Sequence, residues 1–203
     1  MANLLSIVAS PRGDYSVSRA LTTQFVDAWK TNHPDGKVVA RDLSKTDLPF
    51  VDLPWIAGAY TPADKHSAEM KKALEISNEL IAELEAADTI VIGTSMYNFS
   101  IPAILKAWID HIVRINRTFT SSYEGLLKNK KVTVIVASGG VYTPGSHMET
   151  YNAETGYLKQ ILGFIGLTDV KFILAGGTSA IDMGKVQRED LVAQFAPEIL
   201  AAA

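Results

Sequence analysis

The sequence contains no cysteine, and that absence removes disulfides, thiolate metal ligands, iron–sulfur clusters and a cysteine nucleophile together. Any redox chemistry must therefore come from a bound cofactor. No apolar run reaches the roughly 18–20 residues of a membrane span, and Met1-Ala2-Asn3 leads into a strand-like segment without a basic leader or cleavage site. The expectation is a cytoplasmic chain with no membrane partner. Basic excess is missing too: 19 Lys and Arg face 22 Asp and Glu, for a net charge of −3. The one basic cluster, Lys128-Asn129-Lys130-Lys131, is expected to be a solvated loop, so no nucleic-acid surface is expected. There is no G-x-x-x-x-G-K-[ST] segment and no G-x-G-x-x-G after the first apolar run, which argues against nucleoside-triphosphate and dinucleotide sites.

What is present is a globular composition, with 47% hydrophobic and 20% charged residues in 203, enough for a single domain over 1–203 with a substantial core. Five short runs rich in β-branched residues occur at 4–9, 38–43, 89–93, 132–137 and 170–175, each followed by a longer segment with helical period or cap signals. The runs at 89–93 and 132–137 are almost unbroken in hydrophobicity, as central parallel strands covered on both faces must be. Helix starts are expected at Ser16, at Thr61-Pro62-Ala63-Asp64 with proline in the first turn, and at Ser100-Ile101-Pro102 before a helix over 103–115. Gly166 reads as the C-terminal cap of a helix over 158–165, and a last helix over 183–200 is bent or ended by Pro197.

Five βα units with right-handed crossovers predict an α/β fold: a three-layer αβα sandwich on a five-stranded parallel sheet in order 2-1-3-4-5. Ligands of such sheets bind at the carboxyl ends of the strands where the chain direction reverses. The segments to inspect are therefore 10–18, 94–100 and 138–145.

After the first strand, Ser10, Ser16 and Ser18 with Arg12 and Arg19 surround the start of a helix. Free N–H groups, the helix dipole and hydroxyl donors there favour an anion, and a monophosphate fits best; Ser16 could equally be a simple cap. After the third strand, Met96-Tyr97-Asn98-Phe99 offers flat apolar contact and one amide, suited to a planar heteroaromatic ligand, or alternatively core packing for Met96 and Phe99. After the fourth, Ser138-Gly139-Gly140 allows close backbone approach and positive φ, or is a plain glycine turn.

These segments, together with Leu162-Gly163-Phe164-Ile165-Gly166 and Asp169-Val170-Lys171-Phe172, resemble the flavodoxin-like FMN-dependent NAD(P)H:quinone oxidoreductases of bacteria, usually called azoreductases. The resemblance spans nearly the whole chain. It implies FMN phosphate contacts from Ser10, Ser16 and Ser18 with the Val17 backbone, a ring held by Met96, Tyr97, Asn98 and Phe99, and flavin contacts from Ala137, Ser138, Gly139 and Gly140. Relatives often carry Ser-Arg-Gly-Gly at the last of these segments, so at Ala137 and Ser138 only backbone roles carry over. The resemblance also implies NADH or NADPH as donor, quinones and azo compounds as acceptors, a two-step hydride exchange through flavin N5, and a homodimer with the active site at its interface. The segment 118–125, which helps wall that interface in the family, is shorter here than in some relatives.

Two other readings compete. A non-catalytic flavodoxin-like electron carrier would have the same fold, although the apolar stretch 48–56 and the regions of Trp108 and Tyr123 look like cover for a substrate or partner subunit. A serine hydrolase is suggested by Gly93-Thr94-Ser95-Met96-Tyr97, but Tyr97 stands where the nucleophile elbow needs glycine, and the loop residue His147 is expected to be solvated.

Overall fold

The computed structural model describes residues 2–203. Its strands are β1 (Asn3–Val8), β2 (Lys37–Asp42), β3 (Thr89–Ser95), β4 (Lys131–Ala137) and β5 (Asp169–Ala175), all parallel, in the order β2-β1-β3-β4-β5. Every expected run is a strand, and the order is the one that right-handed crossovers require. The helices are α1 (Val17–Asn32), α2 (Leu53–Tyr60), α3 (Ala68–Ala73), α4 (Glu75–Ala86), α5 (Ala103–Ile112), α6 (Ala153–Phe164), α7 (Ser179–Asp182) and α8 (Arg188–Leu200).

Alternate strand residues point to opposite faces, and the two faces hold separate cores. On one, Leu5, Ile7, Ile90, Ile92 and Val134 pack with Leu80 and Leu84 of α4, Leu105, Trp108 and Ile112 of α5, and Leu158 and Leu162 of α6. On the other, Leu4, Val91, Ile135 and Ile173 pack with Leu21, Phe25 and Trp29 of α1 and Leu191 and Ile199 of α8. This is a three-layer αβα sandwich. Trp108, expected among the covering surfaces, is instead fully buried core, because it lies on the inward stripe of α5.

Several helix boundaries differ from expectation for identifiable reasons. Pro62 opens only a short 3₁₀ turn, Ala63–Lys65. The regular helix begins after Ser67, whose hydroxyl accepts from the Met70 N–H, a better cap than any atom proline can offer. The stretch 48–56 is not all loop: Asp52 accepts from the Trp55 N–H at 2.9 Å and starts α2. Its anchor is His111, whose Nε2 lies 2.8 Å from the Pro49 carbonyl, with Trp55 edge-on to the imidazole. Helix α6 starts earlier than expected, capped by Asn152. At its end Gly166 has φ +103, and the Leu167 and Gly166 N–H groups return to the Leu162 and Gly163 carbonyls, a Schellman closure. Pro197 neither ends nor begins α8; it lies on the exposed face, where water can satisfy the carbonyl left without a donor. Lys130 is not simply solvated, because its ammonium donates to the Glu85 and Ala87 carbonyls at the end of α4, complementing that helix dipole.

One glycine sets how closely α1 approaches the sheet. A Cβ on Gly93 would collide with the Thr22 hydroxyl and would stand 3.2 Å from the Ser18 carbonyl. Gly93→Ala should therefore lower stability by about 1–3 kcal/mol through overpacking. Urea unfolding checks this, and adding Thr22→Ala should recover part of the loss.

Candidate functional site

The three loops after β1, β3 and β4 meet because the ladder continues past the strand ends. The Ala9 N–H donates to the Gly93 carbonyl at 2.8 Å, Met96 N–H to Ala137 at 2.8 Å, and Ser138 N–H to Ala175 at 3.1 Å. Each loop thus departs from a fixed point beside its neighbour.

In the first loop Ser16 is a genuine cap, its hydroxyl accepting from the Arg19 N–H at 3.1 Å, and it also lies 3.2 Å from the Ser18 hydroxyl. Ser10, Ser16 and Ser18 are all buried, so Ser18 is not solvated in the first turn. The Val17 and Ser18 N–H groups have no acceptor among the described residues, as helix starts leave them. Arg188 of α8 reaches across to donate to the Ser16 carbonyl at 3.3 Å. Arg19 is committed to Asp42 at 2.9 Å. Burial pushes the Asp42 carboxyl up, but Arg19 and Ser44 together hold it below its ordinary value.

In the second loop, Tyr97 and Ser100 exchange both backbone hydrogen bonds, at 2.9 and 3.0 Å. Between them Asn98 and Phe99 both have positive φ, 49 and 69, the signature of a type I′ turn. Asparagine tolerates this conformation, whereas phenylalanine there is strained by about 1 kcal/mol or more. Packing holds it in place: Phe99 contacts Tyr142 and Tyr151, and its carbonyl accepts from the Ala153 N–H at 3.1 Å. Met96 is partly buried against the core, while Tyr97 and Phe99 are exposed. Core packing therefore accounts for the first and not for the others.

In the third loop the glycines do not use positive φ; neither Gly139 nor Gly140 is in that region. Nor does packing require glycine at 139, since an added Cβ would make only an ordinary contact with Ser179, at 3.8 Å, whereas at 140 it would crowd the Tyr142 ring at 3.1 Å. The loop is fastened to α7 through Ser179, whose hydroxyl donates to the Gly139 carbonyl at 2.8 Å. Ser138 turns its hydroxyl inward to the Gly140 carbonyl at 2.9 Å, and its N–H and carbonyl are taken by Ala175 and Thr178, so the free donors of this loop are the Gly139 and Gly140 N–H groups.

Three adjoining cavities open at this convergence. One of about 140 Å³ is lined by Ser16, Val17, Ser95, Met96, Tyr97, Ala137 and Gly139, together with Arg12, Thr178 and Asp182. A second, about 200 Å³, is lined by Met96, Asn98, Phe99, Ser138, Gly139 and Tyr142. The largest, about 830 Å³ and mainly apolar, includes Tyr97, Asn98, Ile101, Lys106 and Tyr157. Nine of the twelve expected site residues line the two smaller cavities. Ser10, Ser18 and Gly140 stand behind that surface. Thr178, Asp182 and Tyr142 were missed because only the folded chain brings the segment after β5 and the turn beyond Gly140 alongside.

A hydrolase arrangement is not assembled. Ser95 lines the first cavity, but His33, His66 and His111 bond to the carbonyls of Trp29, Thr61 and Pro49, and His147 lies exposed on its loop.

Comparison with known proteins places these features in context. A family model described as "Flavodoxin-like fold" matches residues 2–199. An FMN-dependent NADH:quinone oxidoreductase of Burkholderia lata is 49% identical over 203 residues, covering 100% of this chain and 97% of its own. One from Jannaschia sp. is 48% identical, with both chains fully covered. Among solved structures, the azoreductase of Bacillus anthracis str. Sterne superposes with a TM-score of 0.85 at 27% identity, covering 99% of this chain and 98% of that one. An FMN-dependent NADH-azoreductase from B. anthracis str. Ames Ancestor, in complex with FMN, gives 0.85 at 26% identity over 98% and 97%.

Glu154, in the first turn of α6 beside the Ala153–Phe99 hydrogen bond, had no signal in the sequence. Its carboxyl is fully buried and neither oxygen has a hydrogen-bond partner. Burial pushes its pKa up to about 8; the nearby Thr94 hydroxyl pulls down, but Thr94 Oγ1 is itself without a partner at hydrogen-bond distance, so desolvation dominates. The helix dipole favours the anion by only about 1 kcal/mol, too little to reverse this. The native state therefore holds a proton that the unfolded chain releases near 4.5. Stability from this group is present below about pH 4.5 and is lost towards about pH 8, by up to about 1.4 kcal/mol per pH unit. Urea midpoints measured between these limits should fall with pH in the wild type and fall less steeply in Glu154→Gln.

Proposed function

The chain belongs to the family of the flavodoxin-like fold, matched over residues 2–199, and on that footing we propose that it is an FMN-dependent NADH:quinone oxidoreductase that also reduces azo compounds. The observation that carries this reading is the junction at the sheet's reversal point of a hydroxyl-lined helix start, an aromatic type I′ turn and an open glycine loop. The near-50% identity to named NADH:quinone oxidoreductases over the full chain supports it.

The residues present fit FMN. Val17, Ser18, Asn98, Phe99, Gly139 and Gly140 keep N–H groups without acceptors among the described residues; Val17 and Ser18 are buried, where an N–H is seldom left unpaired, and the other four lie open to a ligand. Ser10, Ser16 and Ser18 with the Val17 N–H would hold the phosphate at the positive end of α1. Met96, Tyr97, Asn98 and Phe99 would hold the ring. The backbone of Ala137, Ser138, Gly139 and Gly140 would line its N1 and O2 edge, with the unpaired N–H groups of Gly139 and Gly140 as the donors that stabilise negative charge there. When bound, FMN supplies two-electron hydride chemistry at N5. The 140 and 200 Å³ cavities share Met96 and Gly139, so phosphate and ring subsites communicate. Tyr97 and Asn98 also border the 830 Å³ cavity, large enough for a nicotinamide or an acceptor to lie against the ring in turn. No side chain there is placed as an obligate acid or base.

A homodimer with the site at its interface accounts for the exposure of Phe50, Leu53, Tyr60 and Tyr123, since monomers rarely leave so many large apolar groups uncovered. Among the described residues no helix is long and apolar enough to cross a membrane.

Purified protein should be yellow and release FMN on denaturation. A colourless protein that fails to take up added FMN rejects the proposal. With NADH and a quinone, double-reciprocal plots should give parallel lines, and intersecting lines would exclude alternating use of one site. Flavin reduction by NADH without a partner reductase separates this enzyme from an electron carrier. Ser18→Ala should weaken FMN binding about 10- to 100-fold, the equivalent of one hydrogen bond to a charged group, while leaving riboflavin binding unchanged in a fluorescence titration.

A further inference from the structure

We propose that Arg12 and Asp182 form an ionic clasp across the cavity joining the phosphate and ring subsites, and that this clasp sets how slowly a phosphate-bearing flavin leaves. The proposal rests on the FMN reading given above. Arg12 Nη2 lies 2.7 Å from Asp182 Oδ1 and Nη1 lies 3.5 Å from Oδ2, a fork-to-fork contact between residues 170 apart in sequence. Both residues line the 140 Å³ cavity together with Ser16, Ala137 and Gly139, so the ion pair ties the loop after β1 to α7 at the place where helix start and glycine loop meet. The pair therefore stands over the passage between the helix start and the glycine loop.

Both jaws are anchored through the backbone. Asp182 ends α7, which is fastened to the glycine loop by the Ser179 hydroxyl at Gly139 and by the Thr178 N–H on the Ser138 carbonyl at 3.0 Å. Arg12 is followed by Gly13, which has φ +55 and no atom within 4 Å of where a Cβ would stand. The Arg12 N–H donates to the Ser10 hydroxyl at 3.4 Å and its carbonyl accepts from the Tyr15 N–H at 3.2 Å, so the clasp opens by rotation of the two side chains and not by movement of a loop. Other cations near the helix start are committed, Arg19 to Asp42 and Arg188 to the Ser16 carbonyl. Arg12 alone among the arginines lines the cavity. Each partner favours the other's charged form: the hydrogen bond to Asp182 raises Arg12, and the same bond lowers Asp182.

Both side chains are about half exposed, at 44% and 54%, so the pair is a modest latch and not a lock, and its effect must weaken with salt. A mere counter-charge for the phosphate makes a different forecast. If Arg12 served the phosphate alone, removing Asp182 would free it and tighten binding. If the pair is a clasp, removing either member opens the passage.

The test uses holoprotein loaded with FMN, with release followed by fluorescence recovery on rapid dilution. At low salt Arg12→Gln and Asp182→Asn should each speed release by about three- to fivefold. The double substitution should speed it no further, and the exchanged pair Arg12→Asp with Asp182→Arg should restore slow release. In about 1 M salt the wild type should approach the single variants. Unchanged or slower release from Asp182→Asn, or failure of the exchanged pair to recover while it still binds FMN, overturns the clasp. Wild-type protein that holds no FMN at all overturns instead the functional reading beneath it.

Discussion

Backbone hydrogen bonds just beyond the strand ends govern the rest of this molecule. Ala9 on Gly93, Met96 on Ala137 and Ser138 on Ala175 carry the ladder one residue further than the strands, and so fix where each loop leaves the sheet. Those loops depart from β1, β3 and β4, at the point where the chain's winding direction changes. Neighbouring parallel strands lie about 4.8 Å apart, so three chemically different segments are compressed into the width of a single ligand. Gly93 lets α1 approach closely enough for its free N–H groups to face the same space.

Strain and desolvation are concentrated in the same place. Phe99 sits in a backbone region that favours glycine or asparagine, secured by two tyrosines and by the start of α6. Directly after that contact, α6 buries a carboxyl without a partner. A chain stabilised mainly by the cores on the two faces of its sheet can sustain both, because each costs a few kcal/mol at most against burial of order 10² kcal/mol. The exposed aromatic turn is thus fastened on one side by Tyr142, Tyr151 and the start of α6 while its other side stays open.

Much of the fold was legible in the sequence because parallel strands must be apolar on both faces, and the runs at 89–93 and 132–137 could hardly be anything else. The helix start at Ser16 was legible from one hydroxyl in front of an amphipathic stretch. Pro62 misled, since proline is compatible with a first helical turn but does not create one, and Ser67 supplied the cap. Glycine at 139 and 140 was read as a source of positive φ, and neither residue adopts it. Glu154 was invisible because a lone glutamate at a helix start ordinarily faces water. Asp182 and Thr178 were invisible for a different reason: their relevance comes from a long-range return of the chain that no local pattern encodes.

That return has a consequence for how the protein matures in time. Thr178, Ser179, Asp182 and Arg188 close the glycine loop, the cavity and the Ser16 carbonyl, and all come later in the chain than the loops they close. Because synthesis runs from the N-terminus, Ser10, Met96 and Gly139 have emerged long before their final partners exist. The site cannot close until β5 and α7 have followed them. A truncated translation product ending before β5 would carry nearly the whole sequence signature and still lack a closed site.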